Sequence, residues 1–252
     1  MDVRSHPPLQ LLVRKLETHL HLDEEDRQAI LNLPYRQRSR DAQSYLVREG
    51  TRPEHCAVLL SGYAFRQKLT GEGGRQILSI HIPGDAVDFQ NMFLDEADHN
   101  VQMLTRGEVA EIPRQPLEEL ALSRPSLGRA ILVATLVEAS VFREWTLNVG
   151  RRNSRSRIAH LLCEFAVRLQ ARGLQPDGAY ELPMTQEQLA DATGLTSVHV
   201  NRVLRALQSE GLIERERRAI RFPDWQRMRD AGDFSARYLH IRDGVAEAMR
   251  IS

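Results

Sequence analysis

The stretch that most constrains the fold is residues 185–213, TQEQLADATGLTSVHVNRVLRALQSEGLI. Thr185 can cap a helix, and Gln188, three residues later, completes a capping box. Gly194 provides a sharp turn, and Thr196 can cap a second helix. The pattern therefore predicts a short helix, a glycine turn and a longer helix.

The second helix has an apolar inner stripe at helical spacing, formed by Val200, Val203, Leu204 and Leu207. Small Ala190, the turn at Gly194 and an inward Val200 together are typical of a helix-turn-helix. The following GLIERERRAIRF predicts two short strands around a basic turn, a wing that can lie against phosphates. A helix pair alone also occurs in protein cores, but the order of cap, turn, stripe and wing predicts DNA binding.

The outward positions of this motif are the predicted DNA contacts, with the recognition helix at about residues 196–209. Arg202 is suited to the O6 and N7 atoms of guanine, which a guanidinium binds with two hydrogen bonds. Polar side chains beside it can contact bases or phosphates. The predicted DNA-binding residues are Thr185, Thr196, Ser197, Val198, His199, Asn201, Arg202 and Arg205.

The net charge of the 252 residues is zero, which argues against nonspecific polyanion binding, but the C-terminal region is locally basic. Residues 151–222 contain 12 Arg and no Lys against 8 Asp and Glu, a local charge of about +4. Such a bias favours phosphate contact. On charge alone, a solvated helix face remains an equal alternative.

Upstream of this motif the sequence predicts a different architecture. Residues 8–33 read as helical, and residues 35–113 as short strands broken by turns. SGYAFRQKL and RQILSIHIP flank TGEGG, whose glycines suit a tight hairpin. Several short strands at regular spacing predict a small antiparallel barrel or roll.

A long helix is predicted after Pro125, over residues 126–149. Apolar residues recur there at steps of three and four, and Glu138 lies on the same side. We predict that this seam packs against a partner helix in a dimer; packing on its own domain is the alternative. The predicted interface residues are Leu127, Ile131, Ala134, Val141 and Trp145.

Composition narrows the class further. The chain is 42% hydrophobic and 27% charged, as in soluble globular proteins, and no unbroken apolar run approaches membrane-span length. Two cysteines, Cys56 and Cys163, cannot form a disulfide framework or a four-cysteine cluster. We expect a cytoplasmic protein without membrane partners. Ser-His-Asp order, metal-ligand spacing, a P-loop and paired carboxylates are all lacking, so we predict no catalytic or metal-binding residues and no enzyme.

Four segments together carry a family resemblance: IHIPGDAVDFQNMF, the long helix, RRNSRSRIAHLLCEF and the winged motif. Over residues 10–223 the chain resembles the bacterial cyclic-AMP receptor protein and fumarate-nitrate regulator (CRP/FNR) transcription factors. The resemblance implies an α+β fold with a cyclic-nucleotide-binding-like β-roll, a long dimerisation helix and a C-terminal winged helix-turn-helix. It implies double-stranded DNA, a second copy and RNA polymerase as partners. The corresponding borders are 1–116, 117–150 and 151–223, with an extension of unknown role at 224–252.

The family's effector pocket is altered in this sequence. Where cyclic-nucleotide binders have a Gly-Glu pair, this chain has Asp88-Phe89, and the family's arginine position falls near Asn100, with the next arginine at Arg106. A buried phosphate needs a cationic or backbone partner. The candidate pocket residues are Asp88, Phe89, Gln90, Asn100 and Glu138. We therefore predict that no cyclic nucleotide is bound.

Other cofactors of the family also lack their residues. The N-terminus has no cysteine cluster for an iron–sulfur centre. Haem would need axial ligands from a set that offers His55, Cys56, His81 and His99, and either cysteine would need a favoured thiolate to act as a redox switch. We predict no cofactor. A small-molecule, haem or redox sensor in which the roll carries the main activity, or an enzyme, is the alternative.

The recognition helix also departs from the family. An acidic residue usually stands four positions before the arginine and accepts a hydrogen bond from cytosine N4; here Val198 takes that place. Val198 offers only apolar contact, for example with a thymine methyl group. The family's usual half-site is therefore not expected.

Overall fold

The computed structural model describes residues 7–175 and 179–243, and the chain forms two compact units. The first comprises Met1–Lys68 and Ser79–Glu138, and the second comprises Leu69–Leu78 and Ala139–Ser252. The border lies inside the long helix, which contributes residues to both units. The sequence-predicted borders at 116 and 150 instead treat that helix as a separate segment.

The N-terminal region contains two helices, α1 (Gln10–Glu17) and α2 (Glu24–Leu31), where the sequence predicted continuous helical structure. Asp23 separates them because its carboxylate accepts a hydrogen bond from the backbone N–H of Asp26 at 2.7 Å. This N-cap, followed by three acidic residues in the first turn, starts α2 afresh.

Eight strands form the predicted antiparallel roll, and Leu69–Leu78, at the hairpin between the fourth and fifth strands, is assigned to the second unit. The strands are β1 (Arg36–Arg40), β2 (Tyr45–Val47), β3 (His55–Leu59), β4 (Ala64–Leu69), β5 (Arg75–His81), β6 (Ala86–Val87), β7 (Asn100–Met103) and β8 (Gly107–Pro113). One sheet has the order β1-β8-β3-β6 and the other β2-β7-β4-β5. Thr70 and Gly74 close the predicted hairpin between β4 and β5 with a 2.8 Å backbone hydrogen bond.

Two helices follow the roll, α3 (Arg114–Ser123) and α4 (Pro125–Arg151). The predicted dimerisation segment 117–150 therefore spans a break. Arg124 is extended, with φ −121° and ψ 98°, because the residue before a proline avoids the helical region. Pro125 itself is tolerated as the first residue of α4.

The prediction of the dimer seam on α4 was wrong about which face is available. Leu127, Ile131 and Ala134 are at most 5% exposed and belong to the core that α1, α2 and the roll form in one chain. Val141 and Trp145, in the second unit, are also buried within the single chain. A seam of this kind has no surface left for a partner, and the alternative of packing on its own chain is the one observed.

A different face of α4 carries exposed apolar side chains. Leu132 and Leu136 are each 57% exposed, and Leu147 is 46% exposed. By length and hydropathy alone this helix could cross a membrane, which was not predicted from the sequence. Core helices of water-soluble proteins have the same composition, and the inner face of α4 lies in the roll's core.

The second unit contains α5 (Ser154–Ala171), β9 (Ala179–Glu181), α6 (Gln186–Thr193), α7 (Ser197–Ser209), β10 (Glu214–Glu216), β11 (Ala219–Arg221) and α8 (Trp225–Gly232). The predicted wing is present as the antiparallel pair β10 and β11, and β9 extends it into a sheet of order β10-β11-β9. The turn of the wing contains Arg217, with φ +53°, and Arg218.

The segment predicted as an extension beyond residue 223 is part of this unit. Met228 of α8 is fully buried, and its carbonyl accepts a weak hydrogen bond from the Cys163 thiol on α5 at 3.8 Å. A 3₁₀ turn, Ala236–Leu239, follows α8. From the sequence this segment was predicted as a separate extension, because it lies beyond the family's minimal domain. Residues 244–252 lie outside the described residues.

Candidate functional site

The helix-turn-helix is built by local hydrogen bonds that the sequence predicted. The Gln188 backbone N–H donates to the Thr185 hydroxyl at 3.2 Å, and the Thr185 N–H donates to the Gln188 side chain at 2.9 Å. This capping box fixes the start of α6. The Thr196 hydroxyl accepts from the His199 N–H at 3.3 Å and starts α7.

Gly194 makes the turn between α6 and α7. Its φ of +63° lies in the left-handed region, which side chains with a Cβ disfavour. The Leu195 N–H donates to the Ala190 carbonyl at 3.1 Å and closes the end of α6. The turn therefore sets the angle between the two helices.

The two sides of α7 differ as predicted. Val200, Val203, Leu204 and Leu207 are buried. On the opposite side, Ser197, Arg202 and Arg205 are exposed, and Val198 is 70% exposed. An apolar side chain this exposed at the start of a helix has nothing to bury it in the single chain.

Two of the predicted contact residues are less available. His199 and Asn201 are half-buried, and the Asn201 amide donates to the Gln186 side chain at 3.0 Å. Gln186 is the first residue of α6 and was not singled out in the sequence. Because the pair joins the starts of the two helices, Gln186 restricts how Asn201 can present its amide.

Two of the five candidate effector residues, Asp88 and Glu138, form an internal ion-pair cluster around Arg66 of β4. The Arg66 side chain is 3% exposed; its guanidinium donates to Asp88, and its Nη2 lies 3.5 Å from the Glu138 carboxylate. His99 Nε2 lies 2.9 Å from Asp88 Oδ2, and His99 Nδ1 lies 2.6 Å from Asp98 Oδ1. A buried guanidinium is thus neutralised by the chain's own carboxylates.

Burial by itself would keep Asp88 protonated and His99 neutral. Their contacts with charged neighbours outweigh this effect of burial on both pKa values. The guanidinium of Arg66 and the imidazole of His99 hold the pKa of Asp88 well below its ordinary range. Burial opposes charge on His99 too, yet the hydrogen bond and charge of Asp88 raise its pKa above 6.5. Burial also raises the pKa of Glu138, against the pull of Arg66.

This cluster does not fit a nucleotide phosphate. Arg66 is a suitable cation, but its guanidinium already donates to Asp88 and, from Nε, to His99 Nε2 at 3.1 Å, and the carboxylates of Asp88 and Glu138 lie beside it. An entering phosphate would have to displace Asp88 and approach the remaining carboxylates. Asp88 and Glu138 supply the negative charge beside Arg66 that an anionic ligand would otherwise supply.

Only part of this cluster was predicted from the sequence. Asp88 and Glu138 both contact Arg66. Arg66 was not among the predicted pocket residues, because the family's arginine position was sought near Asn100. Phe89 lies in the apolar core, and the Asn100 side chain accepts from the Glu49 backbone N–H at 3.1 Å. Gln90 is half-buried in the 3₁₀ turn Phe89–Met92. β4 offered no alternating signal for Arg66, because Ala64, Phe65, Arg66 and Gln67 are all buried.

Both cysteines are poorly suited to redox chemistry. Cys56 and Cys163 are buried free thiols. Burial, aided at Cys56 by the charges of Asp88 and Glu138, raises the pKa of both thiols far above the ordinary value. Since the thiolate is the reactive form, neither position favours a redox switch.

Comparison with known proteins agrees with this architecture. Two domain-family models match: a cyclic nucleotide-binding domain over residues 37–124 and a Crp-like helix-turn-helix domain over residues 156–231. The chain is 31% identical to the transcriptional activator protein FnrL of Cereibacter sphaeroides over 203 residues, 79% of this chain and 81% of that protein. It is 27% identical to FnrA of Stutzerimonas stutzeri over 205 residues, 81% of this chain and 84% of that protein.

Solved structures share the fold. FixK2 from Bradyrhizobium japonicum matches with a TM-score of 0.74 and 24% identity, over 81% of this chain and all of that one. A mutant of CooA from Carboxydothermus hydrogenoformans matches with a TM-score of 0.64 and 16% identity, over 92% of this chain and 98% of that one. Roll, long helix and winged helix-turn-helix define a class of DNA-binding transcription regulators. The chain belongs to the CRP/FNR family of that class.

The cluster predicts a pH dependence of stability. Because the pKa of His99 is raised in the folded protein, its stabilising charge is fully present below pH 6.5 and is lost as the pH rises through the folded value. We expect His99→Gln to flatten the fall of unfolding free energy above pH 6.5, measured by urea denaturation at a series of pH values. His21→Gln, which changes an exposed imidazole, should leave the wild-type slope. An unchanged slope in His99→Gln would show that the charge on His99 is not what stabilises the cluster.

Proposed function

We propose that the protein is a homodimeric regulator that reads a palindromic operator through α7 and acts without a cyclic nucleotide. The outer face of α7 carries this proposal: Arg202 is exposed there on a helix whose start, turn and inner face are all fixed. A guanidinium in the major groove pairs with guanine, and exposed Val198 beside it suits a thymine methyl group.

Phosphate contacts would come from around this helix. The wing turn presents exposed Arg217 and Arg218, and the N-terminus of α7 adds backbone N–H groups. Thr185 and Thr196 are exposed at the starts of α6 and α7, where their backbone can approach the duplex. These contacts supply affinity, while Arg202 and Val198 supply sequence preference.

The exposed face of α4 supports the homodimer. Leu132 and Leu136 are one helical turn apart and mostly exposed. A second copy presents the same two leucines, so antiparallel or parallel pairing about a two-fold axis buries all four side chains. The two recognition helices of such a dimer would enter successive major grooves, about 34 Å apart.

The Arg66 cluster supports action without a cyclic nucleotide, since Asp88 and Glu138 already neutralise the cation that a phosphate requires. We extend the proposal to the absence of haem and iron–sulfur cofactors. RNA polymerase in the cytoplasm is the proposed partner at the promoter, in keeping with relatives named as transcriptional activators.

The role of Arg202 can be tested with an operator selected from genomic fragments. Arg202→Ala should weaken operator binding by about 1–3 kcal/mol and relax preference at one base pair in each half-site, because it removes a guanine contact. Gel-shift titration measures both effects. Gln208→Ala, exposed near the end of α7, is the control. If Arg202→Ala kept both the affinity and the base preference of the wild type, Arg202 would not be a base-contacting residue.

The proposed dimer face can be tested by charge. Leu136→Glu should convert dimer to monomer, measured by sedimentation velocity, because two like charges would meet in an apolar contact. Its helical content should persist, since Leu136 is not part of the single-chain core. Glu119→Gln on α3, also exposed at its surface, serves as a substitution control. A stable Leu136→Glu dimer at micromolar concentration would place the interface elsewhere.

Insensitivity to cyclic nucleotides is directly measurable. Addition of cyclic AMP or cyclic GMP at about 1 mM should change neither the melting temperature nor operator affinity, because a phosphate cannot displace the buried Asp88. A ligand with submillimolar affinity would raise the melting temperature by mass action. Tighter operator binding on addition of either nucleotide would contradict this part of the proposal.

A further inference from the structure

The C-terminal segment Trp225–Leu239, here called the latch segment, is integrated into the core around α5. His160 of α5 is 1% exposed. The ring of Phe234 meets it edge-on at 5.2 Å, and the ring of Tyr238 stacks on it at 5.8 Å between centroids. These rings cover His160 from the side of the latch segment.

The end of α8 lies directly on the backbone of α5. A Cβ at Gly232 would lie 2.9 Å from the backbone nitrogen of His160 and 3.0 Å from the carbonyl carbon of Ala159. Only glycine allows this approach without a shift of the backbone. The Gly232 carbonyl then lies 3.2 Å from His160 Nδ1.

A chain of hydrogen bonds continues from His160 to the end of α4. Tyr238 Oη lies 3.0 Å from His160 Nε2 and donates to Glu164 Oε2 at 2.8 Å. The indole N–H of Trp145, on α4, donates to the same Glu164 oxygen at 2.9 Å. Glu164 is 1% exposed, so these donors replace the water that an ionised carboxylate would otherwise bind.

A second connection runs beside the first. Arg152, at the junction between α4 and α5, donates to Glu144 of α4 at 2.7 Å. The same guanidinium nitrogen donates to the Asp233 backbone carbonyl of the latch segment at 3.1 Å. The latch segment therefore contacts both the end of α4 and the start of the DNA-binding domain.

That junction is connected to the helix-turn-helix. The Asn148 amide of α4 donates to the Arg157 carbonyl of α5 at 3.1 Å. The Arg157 guanidinium donates to the Thr193 carbonyl at 2.6 Å, one residue before the turn. A Cβ built on Gly194 would lie 3.3 Å from Val149 Cγ1, so the end of α4 also contacts the turn.

We propose that the latch segment positions the recognition helix: Tyr238 donates to Glu164 of α5 and holds the carboxylate that the Trp145 indole of α4 binds, and this fixes α7 relative to the end of α4. The proposal rests on the operator reading proposed above. Tyr238 is a positioning residue, since it acts through Glu164 and touches no base. Burial and the nearby Glu164 charge raise the pKa of Tyr238, so its hydroxyl keeps the proton that it donates.

Operator affinity of Tyr238→Phe in the full chain tests this role. The variant keeps the ring but removes the hydroxyl between His160 and Glu164, and we expect operator affinity to fall about tenfold. Tyr180→Phe is a matched control, because it removes a buried hydroxyl that donates to the Leu162 carbonyl at 3.1 Å in the same domain. We expect the control to change affinity less than about twofold. Circular dichroism and thermal melting establish that both are folded.

The indole N–H resonance of Trp145 gives a readout that stability alone would not change. The chain has two tryptophans, so a ¹⁵N spectrum shows two indole signals, and Trp145→Phe identifies one of them. Burial lowers the pKa of His160, against the charges of Glu164 and Glu144, so its titration lies below pH 6.5. The other groups around it are Arg152, Arg168, Asp233 and Tyr238.

We expect the Trp145 signal to follow the His160 titration in the wild type and in Tyr180→Phe, and to lose that pH dependence in Tyr238→Phe. His160→Gln should lose it as well, and it serves as the second variant if Tyr238→Phe is poorly folded. An unchanged Trp145 titration in both variants would overturn the hydrogen-bonded chain. A lost titration with operator affinity equal to that of Tyr180→Phe would overturn the positioning role.

Failure of the proposed function gives a different result. Operator reading would be wrong if the wild type selected no operator, or if Arg202→Ala bound the operator as tightly as the wild type. The Trp145 titration would still test the hydrogen bonds of the latch segment. If Arg202→Ala lost affinity and Tyr238→Phe did not, operator reading would stand and the positioning role would fall.

Discussion

The structure depends on one helix, α4, that has to satisfy two opposite demands. Its inner face must be buried, and Leu127 and Ile131 enter the core of the roll as any amphipathic helix would. Its outer face presents Leu132 and Leu136 to solvent, where water is an unfavourable neighbour for so much apolar surface. In the homodimer that we propose, the same face of a second copy covers these leucines.

Electrostatics inside the roll follow from one buried charge. Arg66 cannot remain unpaired at 3% exposure, and this sequence provides the counter-charge from Asp88 and Glu138. A roll of this fold can instead use such a cation to hold an anionic ligand. Here Asp88 and Glu138 pair with Arg66 and so connect β4 to α4 within one chain, which is the basis of our proposal that no cyclic nucleotide is needed.

Local features of the sequence predicted local features of the structure well. Thr185, Gly194 and Thr196 lie where the motif put them, because capping and turn conformations depend on neighbours three or four residues away. The face of α4 was misassigned because helical spacing shows that Ile131 is on an apolar stripe but not which neighbour covers it. Arg66 was missed because its partners, Asp88 and Glu138, are distant in sequence and meet only through the fold of the roll. The role of the latch segment was not predicted for the same reason: Tyr238 is distant in sequence from His160 and Glu164, which it contacts only in the folded chain.

We propose that two copies of α7 read one operator from a dimer held by α4. Hydroxyl-radical footprinting of the wild-type protein on its selected operator tests this proposal. We expect two protected patches on the same side of the duplex, with centres one helical turn or about 10 base pairs apart and related by the symmetry of the palindrome. A single protected patch over one half-site, with no symmetry in the bound sequence, would contradict it.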